Sequence, residues 1–358
     1  MRWPWQSSSS GDLVAASWCD QTFAYVRGQL RGDDHCVVRD FGIERQVGSP
    51  SELAGRLEAR GLKGSAVRMM LRPQQYQWLQ IDAPGVAPEE LRSAARYQIR
   101  DMLDTHIDDV TIDVMRLGDG QQKGAQHLFV IAAANAALRS CTELAAALRW
   151  TLPVIDVQET VQRNLQNAIA RRESQLDRAT AALVLTEDPQ AVLTICANEE
   201  IFYTRRLDVP KGFLESDWGA DQAGEGAAVG FQPVEEYVPD YGVGGVSYGA
   251  DYGASPAGSG APAVSAEGER LQRFLVEVQR SLDLWERTWS SLPLAAVRVH
   301  AGTRGAEMSQ WLTRELGQGV VPMHLEGIVE GFDAGTEDER ALCWPLLGLL
   351  MRSESRKL

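Results

Sequence analysis

Alternating apolar and polar side chains predict β-strands at the start of the chain. Between residues 13 and 26, apolar side chains recur at a period of two, which is the spacing of one face of a strand or a tight hairpin. These side chains are Val14, Ala16, Trp18, Phe23 and Tyr25. Short apolar runs predict further strands at residues 36–41, 66–71, 76–81, 110–117, 127–134 and 153–157. The first half of the chain is therefore expected to contain a sheet.

Apolar spacing of three and four residues predicts helices between these strands. The clearest helix covers residues 89–104, where Pro88, Glu89 and Glu90 form a favourable first turn. Its apolar face is expected to consist of Leu91, Ala94, Ala95, Ile99, Met102 and Leu103. Further helices are predicted at residues 51–60, 136–150 and 158–172.

A second unit begins near Ala181 and repeats the order of the first. Residues 182–185, 191–196 and 201–207 predict three antiparallel strands. Helices are predicted at residues 267–290, 307–316 and 341–351, and strands at 297–300 and 320–325. Each half opens with a strand meander and continues with alternating strands and helices. This order predicts two related α/β lobes, at residues 13–178 and 179–352.

Three segments lack the apolar residues that a core requires. Residues 218–265 are rich in Gly, Ala, Pro and Ser and carry four spaced tyrosines. This composition predicts a loosely held insert in the second lobe, either a tolerated loop or an adhesive interaction segment. Residues 1–12 and 353–358 are expected to be a flexible N-terminus and a tail.

Charge and cysteine content limit the partners and the compartment. The net charge of −14 disfavours nucleic acid and anionic membranes as main partners, because both require a basic surface. No apolar run is long enough to span a bilayer, and the N-terminus has no secretory pattern. The five cysteines are scattered and form no CxxC, as expected of buried thiols in a reducing compartment. We therefore expect a cytoplasmic protein.

Several segments in a fixed order resemble a known family. They are ARYQIRDML at residues 95–103, DDVTIDV at 108–114, IDVQETVQRNL at 155–165, IFYTRRL at 201–207, QRSLDL at 279–284 and PLLGLLMR at 345–352. This series resembles the PilM-like actin-fold assembly proteins of type IV pili, in particular those of the MSHA pilus. The resemblance implies an actin-like ATPase fold of two lobes, with a small α/β subdomain inserted in the first lobe at about residues 65–135.

The resemblance also implies a role and a partner. Proteins of this family act in the cytoplasm, peripheral to the inner membrane, and hold the cytoplasmic tail of a PilN-like inner-membrane protein. They connect it to the pilus assembly ATPase. By analogy, a groove between the first lobe and its inserted subdomain would bind this tail, and its candidate residues are Tyr76, Trp78, Tyr97, Ile99 and Met102. The alternative is that Tyr97, Ile99 and Met102 only pack the subdomain.

The chemistry of an actin-like ATPase is only partly present. Such an enzyme needs two hairpins with an Asp-x-Gly sequence that cradle the phosphates and hold Mg²⁺. The first hairpin has Ser17 and Cys19 at these positions, and the second has Pro189, which cannot donate an N–H. Gly302 and Gly305 retain part of the adenosine-side turn, although a tight strand-to-helix turn by itself also favours glycine. We therefore expect a protein that does not hydrolyse ATP and has no bound cofactor or metal.

Two other functions remain open at this stage. One is a nucleotide-binding actin-like ATPase with divergent hairpins, in which Glu187 or Asp188 would hold Mg²⁺; on a turn these carboxylates could equally be solvated. The other is the cytoplasmic part of a type II secretion assembly platform. Motifs of other enzyme classes, such as GxxxxGK[ST] and HExxH, are absent from the sequence.

Overall fold

The structure is a computed structural model that describes residues 12–32, 34–118, 127–218 and 266–352. The strands are β1 (Leu13–Cys19), β2 (Thr22–Arg31), β3 (His35–Glu44), β4 (Ala66–Leu71), β5 (Tyr76–Asp82), β6 (Val110–Arg116), β7 (His127–Ala134), β8 (Thr151–Val157), β9 (Ala179–Val184), β10 (Gln190–Ala197), β11 (Glu200–Asp208), β12 (Leu294–His300), β13 (Val320–Pro322) and β14 (Val329–Glu330). The helices are α1 (Pro50–Ala59), α2 (Leu91–Gln98), α3 (Asn135–Leu148), α4 (Gln158–Arg172), α5 (Ala266–Thr288), α6 (Gly305–Leu316), α7 (Glu337–Cys343) and α8 (Leu346–Leu350).

Two sheets repeat one topology. The first has the order β14-β3-β2-β1-β4-β8 and the second has the order β11-β10-β9-β12-β13. In each sheet, three antiparallel strands form a meander. The first strand of the meander pairs in parallel with a later strand, and that strand pairs in parallel with a further one. The two predicted lobes correspond to these two sheets.

The first sheet is covered on both faces. On one face, Val14, Ala16 and Phe23 pack in a cluster that includes residues of α1 and α3. On the other face, Ala15 and Val26 pack against the C-terminal helices. Because successive side chains of a strand point to opposite faces, the hairpin of β1 and β2 can supply both layers at once.

The C-terminal segment belongs to the first lobe, so the predicted end of the second lobe at residue 352 is wrong. Strand β14 pairs in parallel with β3. The buried leucines of α8 pack in the same cluster as Ala15 and Val26. The crossing with α4 is close, since a Cβ at Gly348 would lie 2.1 Å from the carbonyl oxygen of Val161. The leucines of α8 therefore cover the face of the first sheet that α1 and α3 leave open.

The single predicted helix at residues 341–351 is two helices. Helix α7 ends at Cys343, and α8 begins after Pro345. Proline has no N–H to continue the α-helical hydrogen bonds of the preceding turn. Thr336 and Glu339 form a capping box at the start of α7.

A small subdomain follows β4. Its sheet has the order β5-β7-β6, and α2 packs on one face of it. The predicted start near residue 65 is wrong, because β4 lies inside the first sheet between β1 and β8. The predicted helix at 89–104 is also shorter. It consists of α2 flanked by 3₁₀ turns at Pro88–Glu90 and Arg100–Met102.

The free face of the subdomain sheet contacts the second lobe. Leu117 and Phe129 form a buried cluster with Cys196 and Ile201. The N–H of Gly118 donates to the carbonyl of Ile201 at 2.8 Å. The subdomain therefore bridges the two lobes.

Helix α4 lies buried between the lobes although its sequence is polar. Gln162 Nε2 donates to the carbonyls of Ala182 and Val192 at 2.7 and 3.1 Å, and Gln166 Nε2 donates to that of Thr180 at 3.1 Å. These amides bind main-chain groups of the second sheet, and this satisfies polar groups that would be costly to bury unpaired. These hydrogen bonds fix the position of α4, and with it the first lobe, against the second sheet.

The predicted flexible ends and most of the predicted insert lie outside the described residues. Trp218, the first residue of the predicted insert, is part of the second-lobe core, where its ring lies 5.6 Å from that of Phe213. The assignment of Trp218 to the insert is therefore wrong. Across the described segments, no helix has the length and apolarity to cross a membrane.

Candidate functional site

The two hairpins that would cradle phosphates in an actin-like ATPase face each other at the junction of the lobes. The first turns at Asp20, which has a φ of +51°, and the second contains Thr186 to Pro189. Burial, followed by the charge of Asp20, raises the pKa of the Cys19 thiol to about 11, so the thiol is neutral at pH 7. These turns present neither an Asp-x-Gly sequence nor a thiolate.

A buried ion pair joins the second hairpin to the first lobe. Arg72, directly after β4, donates from Nε and Nη2 to Asp188 Oδ2 at 3.1 and 2.7 Å. Both side chains are 8% exposed. Asp188 also accepts from Gln74 at 3.0 Å and from Thr186 Oγ1 at 2.9 Å. The carboxylate is thus saturated by groups of the chain itself.

This geometry bears on the two possibilities for Glu187 and Asp188, a Mg²⁺ site or solvated carboxylates. Asp188 is not solvated, and its oxygens are already engaged by a guanidinium rather than free for Mg²⁺. Glu187 is exposed and lies 3.4 Å from Arg45 of the first lobe. Within the described ranges, no group of three His, Cys, Asp or Glu side chains could hold a metal.

The candidate adenosine-side turn carries an arginine that packs within the second lobe. Gly302 has a φ of +56°, and a Cβ there would meet nothing within 4 Å, so the backbone angle rather than space favours glycine. Gly305 is the first residue of α6. Between them, Arg304 lies over the ring of Trp218 at 4.0 Å and donates from Nε to Glu307 at 2.8 Å.

His300, at the end of β12, lies beside this turn. Its ring stacks on Trp344 with the centroids 3.7 Å apart. Burial lowers the pKa of His300 to about 3, because the charged imidazolium would lose its hydration. The neutral ring is therefore a packing element that ties the second sheet to the C-terminal helices.

A groove of about 460 Å³ lies between the subdomain and the second lobe. Its lining residues are Pro73, Gln74, Tyr76, Gln77, Trp78, Leu79, Asp104, Glu159, Gln190, Thr204, Arg205 and Arg206. Two of the predicted groove residues, Tyr76 and Trp78, are among them. The sequence analysis expected a groove between the first lobe and the subdomain, whereas this groove also has a wall from β11 of the second lobe. That wall was not predicted, because β5 and β11 are distant along the chain and neither segment indicates the other.

The floor of the groove is a buried charged network. Arg206 donates from Nε and Nη2 to Glu159 at 3.0 Å each, and from Nη1 to the carbonyls of Pro73 and Tyr76 at 2.7 and 3.2 Å. Its guanidinium also lies 4.4 Å from the ring centroid of Tyr76. The Tyr76 hydroxyl donates to Glu159, and burial together with that carboxylate raises the pKa of Tyr76. The tyrosine is therefore protonated and fixed.

The other three predicted groove residues do not line this groove. Ile99 is fully buried in the subdomain core with Leu91 and Ala95. Tyr97 and Met102 are exposed, but they lie outside the groove lining. Helix α2 covers one face of the subdomain sheet, whereas the groove lies beside β5 at the edge of that sheet. A role of Tyr97 and Met102 in binding a partner stays a prediction.

Removing Asp188 should destabilise the protein strongly. Asp188→Ala leaves the Arg72 guanidinium buried without an anion, so the free energy of unfolding should fall by about 3–5 kcal/mol. Urea denaturation of purified protein measures this change. Asp113→Ala, which breaks the exposed pair with Arg92, is the matched control and should change stability by less than about 1 kcal/mol. Equal effects of the two substitutions would contradict a structural role for the buried pair.

Acid should destabilise the protein through His300. The folded protein holds His300 neutral down to about pH 3, whereas an unfolded histidine binds a proton near pH 6.5. The contribution of neutral His300 to the free energy of unfolding is therefore fully present above pH 6.5. It is lost as the pH falls towards 3, by about 1.4 kcal/mol per pH unit. His300→Phe keeps a ring on Trp344 and removes the titration. Urea denaturation at pH 7, 6 and 5 should show a weaker pH dependence for this variant, and an unchanged dependence would contradict the assignment.

The solved structures that resemble this chain include the following three. A chain of the PilM–PilN type IV pilus biogenesis complex superposes with a TM-score of 0.62 at 18% identity, over 94% of this chain and 97% of that chain. The cytoplasmic domain of EpsL, an inner-membrane component of the type II secretion system of Vibrio cholerae, gives a TM-score of 0.40 at 14% identity, over 60% and 79%. A Bacteroides thetaiotaomicron protein of unknown function with an actin-like ATPase fold gives 0.45 at 8% identity, over 96% and 97%.

No protein-family model matches the chain, and no curated protein sequence matches it. The duplicated sheet topology and the structural likeness confirm the predicted fold class. The chain has the two-lobed actin-like fold.

Proposed function

We propose that this protein is a cytoplasmic scaffold of a type IV pilus assembly machine. It binds the cytoplasmic tail of a PilN-like inner-membrane protein, which holds it at the membrane, and it does not hydrolyse ATP. Three features support this proposal: the ordered PilM-like sequence segments, the fold shared with a chain of the PilM–PilN complex, and a groove suited to a peptide. The sequence segments favour the MSHA pilus subtype and its biogenesis protein MshI.

One observation in particular supports the proposal that this protein does not hydrolyse ATP. The carboxylate of the second hairpin, which would hold Mg²⁺ through water in an ATPase, is bound by Arg72 and Gln74. A metal would have to displace this buried guanidinium, leaving a charge without its counter-ion. The same ion pair fastens the two lobes together without a nucleotide, as a scaffold requires.

Tail binding tests the proposal directly. A labelled synthetic peptide with the sequence of the cytoplasmic tail of a PilN-like protein from the same organism is titrated with the purified full-length protein. Fluorescence anisotropy should show saturable binding with a Kd between about 1 and 100 µM. A scrambled peptide of the same composition is the control and should not bind.

The same assay distinguishes a role in pilus assembly from a role in type II secretion. The tail of an MSHA-pilus partner should bind at least about tenfold more tightly than the corresponding tail of a type II secretion partner, which is a difference of about 1.4 kcal/mol. Absence of saturable binding by the pilus tail, or tighter binding of the secretion tail, would contradict the proposed function.

A further inference from the structure

A short turn connects the first sheet to the subdomain, and the second hairpin holds it. The turn consists of residues 72–76, between β4 and β5. Its first residue, Arg72, and its third, Gln74, both donate to the carboxylate of Asp188 at 2.7–3.1 Å. Arg72 and Asp188 form the hairpin pair. Because both side chains are buried, separating them would leave a charge without its counter-ion.

The same turn is held a second time, by Arg206 of β11. Arg206 donates from Nη1 to the carbonyls of Pro73 and Tyr76 at 2.7 and 3.2 Å. It also neutralises Glu159, which is fully buried and accepts from the Tyr76 hydroxyl. Arg206 and Glu159 form the floor pair. If Arg206 followed the two carbonyls away from Glu159, that buried carboxylate would lose its counter-ion, which is strongly unfavourable.

The bonds to the two pairs alternate along the turn. Pro73 lies between the two residues that donate to Asp188, so its carbonyl cannot keep its position when both neighbours move. The turn also has little slack, because the proline ring fixes one backbone angle. The N–H of Gln75 donates to the carbonyl of Arg72 at 2.9 Å, and the Gln75 side chain accepts from the Arg72 N–H at 2.9 Å. A displacement at one pair is therefore passed to the other.

We propose that residues 72–76 couple the hairpin pair to the floor pair, so that the two pairs open and close together. The turn then transmits the state of the second hairpin to the subdomain. By reciprocity, it transmits the position of β5 back to the hairpin. The coupling lies within the chain and does not depend on the proposed function. It gives the two lobes and the subdomain one shared switch, in which both pairs are formed or both are broken.

A double-mutant cycle measures this coupling. Asp188→Asn removes the negative charge of the hairpin pair. Arg206→Lys keeps a cation beside Glu159 but loses the planar fork that also reaches the two carbonyls. Each variant alone should raise the equilibrium constant of unfolding in urea. Because breaking one pair already releases the other, the constant of the double variant should be at least about threefold smaller than the product of the single effects predicts.

Two controls separate the turn from the rest of the hairpin. Glu187→Gln removes an exposed ion pair with Arg45 on the same hairpin, and Glu187 has no hydrogen bond to the turn among the described residues. Combined with Arg206→Lys, this variant should give effects that multiply. Pro73→Gly keeps the carbonyl but frees the backbone angle. In this background, the deviation between Asp188→Asn and Arg206→Lys should shrink.

Hydrogen exchange shows where the coupling acts. In Asp188→Asn, peptides from β5 and from the first turn of α4 should exchange at least about threefold faster than in the wild type, although Arg206 and Glu159 are unchanged. The N–H of Gln158 is a direct reporter, because it donates to the Tyr76 hydroxyl at 3.1 Å. Helix α6, which packs on β12, β13 and α5, is the internal reference and should exchange at the wild-type rate.

The cycle and the exchange rates together decide between coupled and independent pairs. If Asp188→Asn does not fold, Gln74→Met replaces it in both measurements, because it removes one donor to Asp188 at an exposed position. A deviation that requires Asp188 and shrinks with Pro73→Gly, together with faster exchange in β5, would support the coupling. Effects that multiply, or wild-type exchange in β5, would overturn it. An equal deviation with Glu187→Gln would also overturn it, since the hairpin rather than the turn would then connect the pairs.

Discussion

Two guanidinium groups lie where the lobes and the subdomain meet, that of Arg72 buried and that of Arg206 largely buried, and each must be neutralised there. Arg72 is neutralised by Asp188 and Arg206 by Glu159, and each pair joins one lobe to the other. Unpaired, either charge would cost several kcal/mol, so the segments that carry these residues cannot move apart independently. The turn at Pro73 and Gln74 connects the two sites, because Pro73 accepts from Arg206 while Gln74 donates to Asp188.

This constraint separates two surfaces that an actin-like fold could use. At the cleft, the cation of Arg72 binds Asp188, so that carboxylate could hold a nucleotide's metal only if the ion pair broke. At the groove, the second pair forms a polar floor beside residues of β5 and β11. Under the proposed function, the first pair closes the metal position and the groove provides the room for a partner.

Local patterns in the sequence predicted the strands and the duplicated lobes, because period-two alternation and turn residues are local signals. The altered first hairpin could likewise be read directly at Ser17 and Cys19. The ion pair of Arg72 with Asp188 could not, since 116 positions separate the two residues and neither segment signals the other. Ile99 shows a different limit. Apolar spacing correctly identified Leu91, Ala95 and Ile99 as buried, but Met102, predicted on the same face, is exposed. The spacing also does not say which surface covers that face.

The central claim is that the chain's own ion pair has replaced nucleotide chemistry in the cleft. Titration calorimetry of the purified protein with ATP and Mg²⁺ tests it most directly. We expect no binding heat up to about 1 mM ATP, which places any affinity weaker than about −4 kcal/mol. Tight binding that requires Mg²⁺ would contradict the claim, because it would mean that the hairpins still bind phosphate and that Asp188 can release Arg72.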